Sequence, residues 1–377
     1  MTDPIRQRLF TPGPINTSDA VRDAMQRDLG SREMEFIRVV REIRKGLLAI
    51  AGAGPDFEAV PMQGSGTFAI EAAIGSLIPA EGKLLVLVNG AYGRRMLTIA
   101  QRLGIAVDSI ETPETEPNDP TSVKAHLAAH PGVTHVAAVH CETTTGILNP
   151  IVEIGAAVAA AGRRFLVDAM SSFGSIPVDV SAWSADCVIS SANKCLEGVP
   201  GIAFAIVRRA SLDTARGHAR SVSLDLPAQW DELERSGQFR FTPPTHVILA
   251  LAEALDELTR EGGVAAREKR YRENQRTLLS GMAAMGFQTV LRPELQSPII
   301  TAFRSPADPR FDFEDFCRRL AARALIIYPS KLACGDSFRI GTIGQLTPGD
   351  FADLLDGIRA SLDAMGVALP LASKARD

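Results

Sequence analysis

The chain has 377 residues, of which 46% are hydrophobic and 22% charged, and its formal net charge is −4. This profile is typical of an ordinary globular protein that is long enough for one large domain and one smaller domain. The sequence has no basic run that suggests nucleic acid and no apolar stretch near the roughly 20 residues that cross a bilayer, and Met1–Pro4 does not open a signal peptide.

The N-terminal part begins with an extended, turn-rich segment at residues 10–14. A helix capped by Thr17 or Ser18 follows, and a longer helix starts within the Ser31–Phe36 stretch and continues to Leu48.

From residue 57 onward, short apolar runs alternate with helical segments. The predicted strands are Phe57–Met62, Leu84–Val88, Ala106–Ile110, Val133–Val139, Arg164–Val167, Asp186–Ser190 and Ile202–Val207. The predicted helices between them are Thr67–Leu77, Tyr92–Leu103, Pro120–Ala129 and Ile151–Ala161. This alternation predicts an α/β fold with a mostly parallel central sheet flanked by helices, in which ligands bind at the carboxyl ends of the strands.

The C-terminal third begins with two long helical segments, Thr245–Glu261 and Val264–Met285. Strand-like stretches follow at Ile299–Phe303, Ala324–Ile327 and Ser337–Ile340. We therefore expect a large domain at residues 21–260, a smaller C-terminal α+β domain at residues 261–377, and an N-terminal segment, residues 1–20, that packs near the small domain and the active site.

The five cysteines are odd in number and dispersed, which favours reduced thiols in a cytoplasmic protein. No cysteine or histidine spacing resembles a metal site. The evenly spaced His126, His130, His135 and His140 span a change from helix to strand, so these four residues are not expected to share one face.

Small and polar residues follow the first predicted strand, in the stretch Gln63–Thr67. A glycine turn at a helix N-terminus offers free N–H groups to a phosphate, and Ser65, Gly66 and Thr67 could bind it. The turn matches neither the dinucleotide fingerprint nor a P-loop, so a small monophosphate is the better prediction. A glycine turn that only caps a helix is the commoner meaning of such a stretch.

Three later strand ends also carry chemically distinctive side chains. Tyr92 follows the second strand and could stack on a flat ring, although a core tyrosine is the simpler interpretation. The stretch Cys141–Gly146 brings an acid and three threonines to the end of another strand. Asp168 ends the next strand, where a carboxylate is costly to bury without a cation or donor. A capping aspartate is the alternative.

Lys194 follows the strand Asp186–Ser190, among small residues and before a glycine–proline turn. A lysine that loses hydration there would have a depressed pKa and could form a Schiff base, although an isolated lysine in a loop is usually a surface residue. With a phosphate loop, an aromatic residue and a buried carboxylate on neighbouring strand ends, it completes the set that pyridoxal 5′-phosphate requires.

Arg339 lies in the last strand-like stretch, where a guanidinium suits a carboxylate or a phosphonate and a structural salt bridge is the alternative. The loop at residues 238–245 suggests no role by itself.

Several motifs together resemble the class V aminotransferases of the pyridoxal-phosphate type I fold, over nearly the whole chain. The motifs that carry the resemblance are Leu9–Pro14, Ser31–Phe36, His140–Gly146, Asp168–Gly174, Ser191–Gly201 and Phe338–Gly344. Two of these motifs, at Cys141–Thr145 and Asn193–Gly198, have residues that resemble those of the phosphonate branch of the family.

The resemblance implies a role for each matching residue. Lys194 would carry the cofactor as an internal aldimine and move the proton, and Asp168 would pair with the pyridinium. The remaining implied cofactor contacts are Ser65, Gly66 and Thr67 at the phosphate, Tyr92 and Met170 at the ring faces, Thr143 at the ring hydroxyl, Asn193 beside the lysine, and Thr242 from a partner subunit. Arg339 would bind the substrate anion, with Arg32 as a second choice, and the shared site implies a homodimer.

The implied reaction is a ping-pong transamination in which 2-aminoethylphosphonate and pyruvate give phosphonoacetaldehyde and L-alanine. Another class V transaminase, of the alanine–glyoxylate or serine–pyruvate type, is the nearest alternative. A cysteine desulfurase is disfavoured because Cys334 lies too close to Arg339. A scaffold without a cofactor is disfavoured by the Asp168–Lys194 pair. The stretch Tyr328–Lys331 departs from the family in lacking a glycine before the lysine.

Overall fold

The structure is a computed structural model and describes residues 6–329 and 337–371. The strands are β1 (Arg8–Leu9), β2 (Phe57–Gln63), β3 (Lys83–Val88), β4 (Ala106–Glu111), β5 (His135–Val139), β6 (Cys141–Glu142), β7 (Ile147–Leu148), β8 (Arg164–Asp168), β9 (Cys187–Ser191), β10 (Ile202–Arg208), β11 (Ile300–Arg304), β12 (Leu325–Ile326), β13 (Tyr328–Pro329) and β14 (Ser337–Gly341). The α-helices are α1 (Asp19–Asp23), α2 (Met34–Ile50), α3 (Gly66–Leu77), α4 (Ala91–Arg102), α5 (Pro120–Ala129), α6 (Ile151–Ala160), α7 (Arg209–Thr214), α8 (Leu226–Ser236), α9 (Thr245–Glu261), α10 (Gly263–Ala284), α11 (Phe313–Ala321) and α12 (Pro348–Ala364).

The main sheet has seven strands within the described residues, in the order β2-β10-β9-β8-β5-β3-β4. Only β10 runs antiparallel to its neighbours in this sheet. The predicted mostly parallel α/β fold is therefore confirmed. Because β2, β3, β5, β8 and β9 point the same way, their carboxyl ends meet at one edge, where the polar motifs of the sequence fall.

The central strands β3, β5, β8, β9 and β10 are buried along nearly their whole length, and apolar residues predominate in them. Helices cover them, and α3 shows why: its buried face is a run of alanine and isoleucine that allows close approach to β9 and β10. One hydrophobic cluster extends from Phe36 to Leu258. Packing on both faces makes the strand ends rigid points from which side chains can project.

A second hydrophobic cluster contains Phe10 and residues from Leu278 to Val367. It fills the space between the three-stranded sheet β11-β14-β13 and the helices α10, α11 and α12. The N-terminal chain joins this unit because β1 pairs in parallel with β12, placing Leu9 opposite Ile326. Residues 10–14 then run on toward the main sheet edge.

The predicted element boundaries agree closely with the structure. Ser18 is the cap of α1, with its side chain accepting from the Val21 N–H. The long helix predicted to start within Ser31–Phe36 begins at Met34 and continues to Ile50, two residues beyond the expected end. No helix in the described part of the chain is long and apolar enough to cross a membrane.

Candidate active site

The loop that follows β2 turns sharply into α3. The Gly64 N–H donates to the Gly201 carbonyl at 2.9 Å, and Ser65 caps α3 with its side chain exposed. A Cβ on Gly66 would lie 2.3 Å from the Met170 sulfur, so a larger residue there would require the end of the Met170 side chain to move. The structure thus brings the predicted phosphate loop and Met170 together, with the N-terminus of α3 open toward the sheet edge.

Thr67 contacts a cation that sequence reasoning did not identify. Its hydroxyl accepts a hydrogen bond from Arg95 Nη1 at 3.2 Å, and the same guanidinium lies 4.9 Å from the centre of the Tyr92 ring. A positive charge beside an open helix N-terminus strengthens the anion site. The available signal was that Arg95 lies near the start of the helix after β3, as the fifth residue of α4.

The acid of the threonine-rich motif has a local structural task. Glu142 is fully buried, and its carboxylate accepts from the Tyr92 N–H at 3.1 Å and the Gly93 N–H at 3.3 Å. It also accepts from the Thr144 hydroxyl at 2.6 Å. Burial raises the pKa of Glu142. The carboxylate caps the N-terminus of α4 and so fixes where Tyr92 leaves the sheet edge.

Asp168 is 5% exposed at the end of β8, between Val139 of β5 and Ile189 of β9. Its Oδ1 accepts from the Met170 N–H at 2.8 Å. Burial raises the pKa of Asp168 to about 6, and this hydrogen bond opposes the rise only in part. A cation placed against this carboxylate would restore its ionised form.

Lys194 lies in the loop after β9, beneath the N-terminal segment. Its Nζ donates to the Pro12 carbonyl at 2.6 Å, and a Cβ on Gly13 would lie 2.8 Å from the same amine. Burial lowers the pKa of Lys194. The amine is therefore covered by the N-terminal segment and is more easily deprotonated than an exposed lysine, as a nucleophile requires.

Arg339 approaches the sheet edge from β14 and is 2% exposed. Its Nη1 donates to the Thr143 carbonyl at 2.6 Å, its Nε and Nη2 donate to the Pro329 carbonyl, and its guanidinium makes a side-chain hydrogen bond with Tyr92. No carboxylate partner is among these contacts, which disfavours the structural salt bridge as an explanation for the residue.

Thr143 supplies a test of whether a ligand fits this edge. Its Oγ1 is buried and has no hydrogen-bond partner among the described residues. Buried hydroxyls are nearly always bonded, so an unpartnered one points to a missing group. Together with the N-terminus of α3, the buried Asp168 carboxyl and the Lys194 amine, this hydroxyl suits a flat, phosphorylated ring.

The other predicted site residues lie less centrally. Asn193 is half-buried beside the lysine, and its side-chain oxygen accepts from the Ser191 hydroxyl at 3.0 Å. Arg32 and Thr242 are exposed, before α2 and α9, and take no part in the hydrogen bonds that join the other site residues. Cys334, Ser330 and Lys331, on which two sequence arguments depended, lie outside the described residues.

One cluster of possible metal ligands lies away from this edge. His126 of α5 and His130, the C-cap residue of that helix, stack with ring centres 4.0 Å apart, and their donor atoms lie within 4.8 Å of the Asp108 carboxylate. The spacing of the histidines in the sequence did not predict this pair. The carboxylate already pairs with the Lys83 ammonium at 2.8 Å, so a metal ion would have to displace that lysine.

Comparisons with known proteins identify the family of the chain. A family model described as aminotransferase class-V matches residues 17–326. A 2-aminoethylphosphonate–pyruvate transaminase of Syntrophobacter fumaroxidans is 51% identical over 358 residues, covering 95% of this chain and 96% of the relative. A protein of the same name from Salmonella typhimurium is 49% identical over 356 residues, covering 94% and 97%.

Solved structures of more distant relatives share the fold over nearly the full length. A ureidoglycine–glyoxylate aminotransferase of Bacillus subtilis superposes with a TM-score of 0.90 at 25% identity, covering 98% of this chain and 96% of the other. A pyridoxamine–pyruvate aminotransferase of Mesorhizobium loti superposes with a TM-score of 0.87 at 28% identity, covering 98% and 95%.

Proposed function

The chain belongs to the class V aminotransferase family and is a pyridoxal-phosphate-dependent enzyme, and we propose that it transfers the amino group of 2-aminoethylphosphonate to pyruvate. The products are phosphonoacetaldehyde and L-alanine, as in phosphonate catabolism. The observation that carries the substrate assignment is the 51% identity, over 95% of the chain, to a relative named for this reaction. The solved transaminases of other amino donors reach only 25% and 28%.

We infer that the residues at the sheet edge hold the cofactor. Ser65, Gly66 and Thr67 would bind its phosphate and Asp168 its ring nitrogen. Tyr92 and Met170 would cover the ring faces, Thr143 would bond the ring hydroxyl and Asn193 would border the lysine. The unpartnered Thr143 hydroxyl and the close packing of Met170 against Gly66 support this arrangement. When bound, the cofactor supplies an electron sink for the carbon that carries the amino group.

The chain's own groups would then have three tasks. Burial lowers the pKa of Lys194. Its amine would therefore take a proton from the carbon bearing nitrogen and return it in the second half reaction. Asp168 would hold the proton on the ring nitrogen. Arg339 would bind the phosphonate of one substrate and the carboxylate of the other, which its planar fork suits. Arg32 is the weaker candidate for that anion because its side chain is exposed and outside the cluster.

We further infer a cytoplasmic homodimer in which Thr242 reaches the cofactor phosphate of the partner. Thr242 is exposed in the single chain, and 45% of the surface of the neighbouring Phe241 is accessible. This exposure supports an assembly in which a partner subunit covers both residues. The free cysteines Cys141, Cys187, Cys195 and Cys317 support a reducing compartment. The separate clusters around β2–α9 and β11–α12 support a large domain at 21–260, a small domain at 261–377 and an N-terminal segment at 1–20.

The test is a titration of the purified holoenzyme, followed by the visible absorption of its cofactor. We expect 2-aminoethylphosphonate to bleach the band and pyruvate to restore it with release of alanine, whereas Lys194→Ala loses the band. Bleaching by alanine or serine but not by 2-aminoethylphosphonate would assign the chain to the alanine–glyoxylate or serine–pyruvate type instead. A protein that never acquires the band would be a scaffold.

A further inference from the structure

Tyr92 is a residue whose ring has a role in the proposed function but whose hydroxyl has none. Its backbone is fixed at the start of α4, because its N–H donates to the buried Glu142 carboxylate at 3.1 Å. Its ring is held by the Arg95 guanidinium, which lies 4.9 Å from the ring centre. With backbone and ring both held, the hydroxyl has a defined place at the edge of the sheet.

The Tyr92 hydroxyl lies close to the two groups that must meet the substrate. It makes a side-chain hydrogen bond with the Arg339 guanidinium. Burial lowers the pKa of Lys194, and among the neighbouring groups that oppose this shift Tyr92 acts most strongly, ahead of Cys195 and Asp168. The phenol is therefore near both the arginine that would bind the anion and the amine that would move the proton.

Arg339 by itself has too few donors for a phosphonate. A guanidinium has five N–H groups, and three of those in Arg339 donate to the Thr143 and Pro329 carbonyls. The two that remain match the two oxygens of a carboxylate, whereas a phosphonate has three oxygens that share its charge. Because Arg339 is 2% exposed, water is a poor source of a further donor, and a buried charged oxygen without one is costly.

We propose that the Tyr92 hydroxyl donates a hydrogen bond to the third phosphonate oxygen of 2-aminoethylphosphonate and thereby favours this amino donor over amino acids. The inference rests on the proposed function, because it requires that Arg339 binds the substrate anion. The phosphonate replaces the Tyr92 oxygen as acceptor at the guanidinium and receives the phenol proton, since a hydroxyl both accepts and donates. Pyruvate and alanine, whose carboxylates have two oxygens, bind at the same arginine without that hydrogen bond.

The decisive experiment follows the cofactor band of the holoenzyme in a single half reaction, with one amino donor at a time. The donors are 2-aminoethylphosphonate, L-alanine and 2-aminoethylphosphinate, in which a hydrogen replaces one oxygen on phosphorus. Tyr92→Phe keeps the ring and removes the hydroxyl. We expect its second-order rate constant with 2-aminoethylphosphonate to fall about 10- to 100-fold, as for a lost hydrogen bond to a charged group. With the other two donors it should fall only about threefold, because losing the hydrogen bond with Arg339 affects every anion alike.

Tyr328→Phe is the matched control, because it removes a phenol hydroxyl from the strand beside the arginine. Tyr328 lies opposite Arg339 in the β13–β14 pair, but its hydroxyl takes no part in the hydrogen bonds that Arg339 makes within the described residues. All three donors should react with this variant as they do with the wild type.

A measurement without turnover uses ethylphosphonate and ethylphosphinate as competitive inhibitors of the wild-type holoenzyme, since neither has an amine. Ethylphosphonate should bind about tenfold or more tightly than ethylphosphinate, because only its third oxygen can accept from Tyr92. In Tyr92→Phe this difference should disappear.

Equal losses for the phosphonate and the phosphinate in Tyr92→Phe would overturn the inference and leave the hydroxyl as a support for Arg339 only. If that variant does not hold the cofactor, equal inhibition of the wild type by the two ethyl compounds would overturn it as well. A wild-type enzyme that reacts with L-alanine and not with 2-aminoethylphosphonate would instead refute the proposed function, and the two failures are thereby distinguished.

Discussion

Asp168 offers a test of the site that does not depend on turnover. Its pKa rises from the ordinary 3.8 to about 6 because the carboxyl is buried. A shift of about 2 pKa units corresponds to roughly 3 kcal/mol. In the protein without cofactor, the contribution of the buried, protonated Asp168 carboxyl to the free energy of unfolding is fully present below pH 3.8. It is lost as the pH rises through about 6.

The perturbation is Asp168→Asn, which keeps the shape and removes the titration. About half of the 3 kcal/mol, roughly 1.5 kcal/mol, should be lost between pH 5 and pH 7.5. Urea unfolding of both cofactor-free proteins at these two pH values gives the comparison. The wild-type free energy of unfolding should fall by about that much more than the variant's, since other groups titrate alike in both.

Two results would refute the reasoning: identical pH dependence in the two proteins, or a wild type that gains stability relative to the variant as the pH rises. Adding pyridoxal phosphate supplies a further check. A protonated ring nitrogen against the Asp168 carboxylate should remove the extra pH dependence of the wild type, whereas Asp168→Asn should bind the cofactor and lose transaminase activity.

Three further substitutions test the geometry. Gly66→Ala should raise the dissociation constant for the cofactor, because its Cβ would lie 2.3 Å from the Met170 sulfur and the end of that side chain would have to shift; the loss in urea unfolding should be at most about 1 kcal/mol, since a methionine side chain adapts readily. Glu142→Ala should cost about 2 kcal/mol in the same assay, since the part-buried N–H of Tyr92 and the buried N–H of Gly93 lose their acceptor. Arg339→Lys should raise KM for both substrates with the cofactor band intact, because one ammonium cannot replace a planar fork.

Gly66→Ala has a control, and each of the other two substitutions has an outcome that would contradict it. Gly132→Ala tests the effect of an added methyl alone, since no atom lies within 4 Å of its Cβ and its φ is not positive; it should leave cofactor affinity unchanged. An unchanged urea midpoint in Glu142→Ala would show that the carboxylate does not cap α4. An unchanged KM in Arg339→Lys would redirect the search for the anion site to Arg32.

Much of the fold and the centre of the candidate site could be predicted from the sequence. The alternation of apolar runs and helical segments reports which segments are buried, and in a parallel sheet this also determines that Asp168 and the Lys194 loop reach the same edge. The residues just after those strands therefore carried a recognisable pattern, even though each one alone had an ordinary explanation.

The contacts between distant segments were decided only by the tertiary structure. Pro12 lies over Lys194 across 182 residues, and Arg339 reaches Thr143 across 196. Periodicity describes the environment of one segment and not which loop will meet it. For the same reason the sequence marked Glu142 and Glu197 as acids in distinctive motifs but did not indicate their partners. The Glu142 carboxylate caps α4, and the Glu197 carboxylate accepts from side chains on α10 and in the loop after β14, because only the folded chain brings those donors within hydrogen-bond distance.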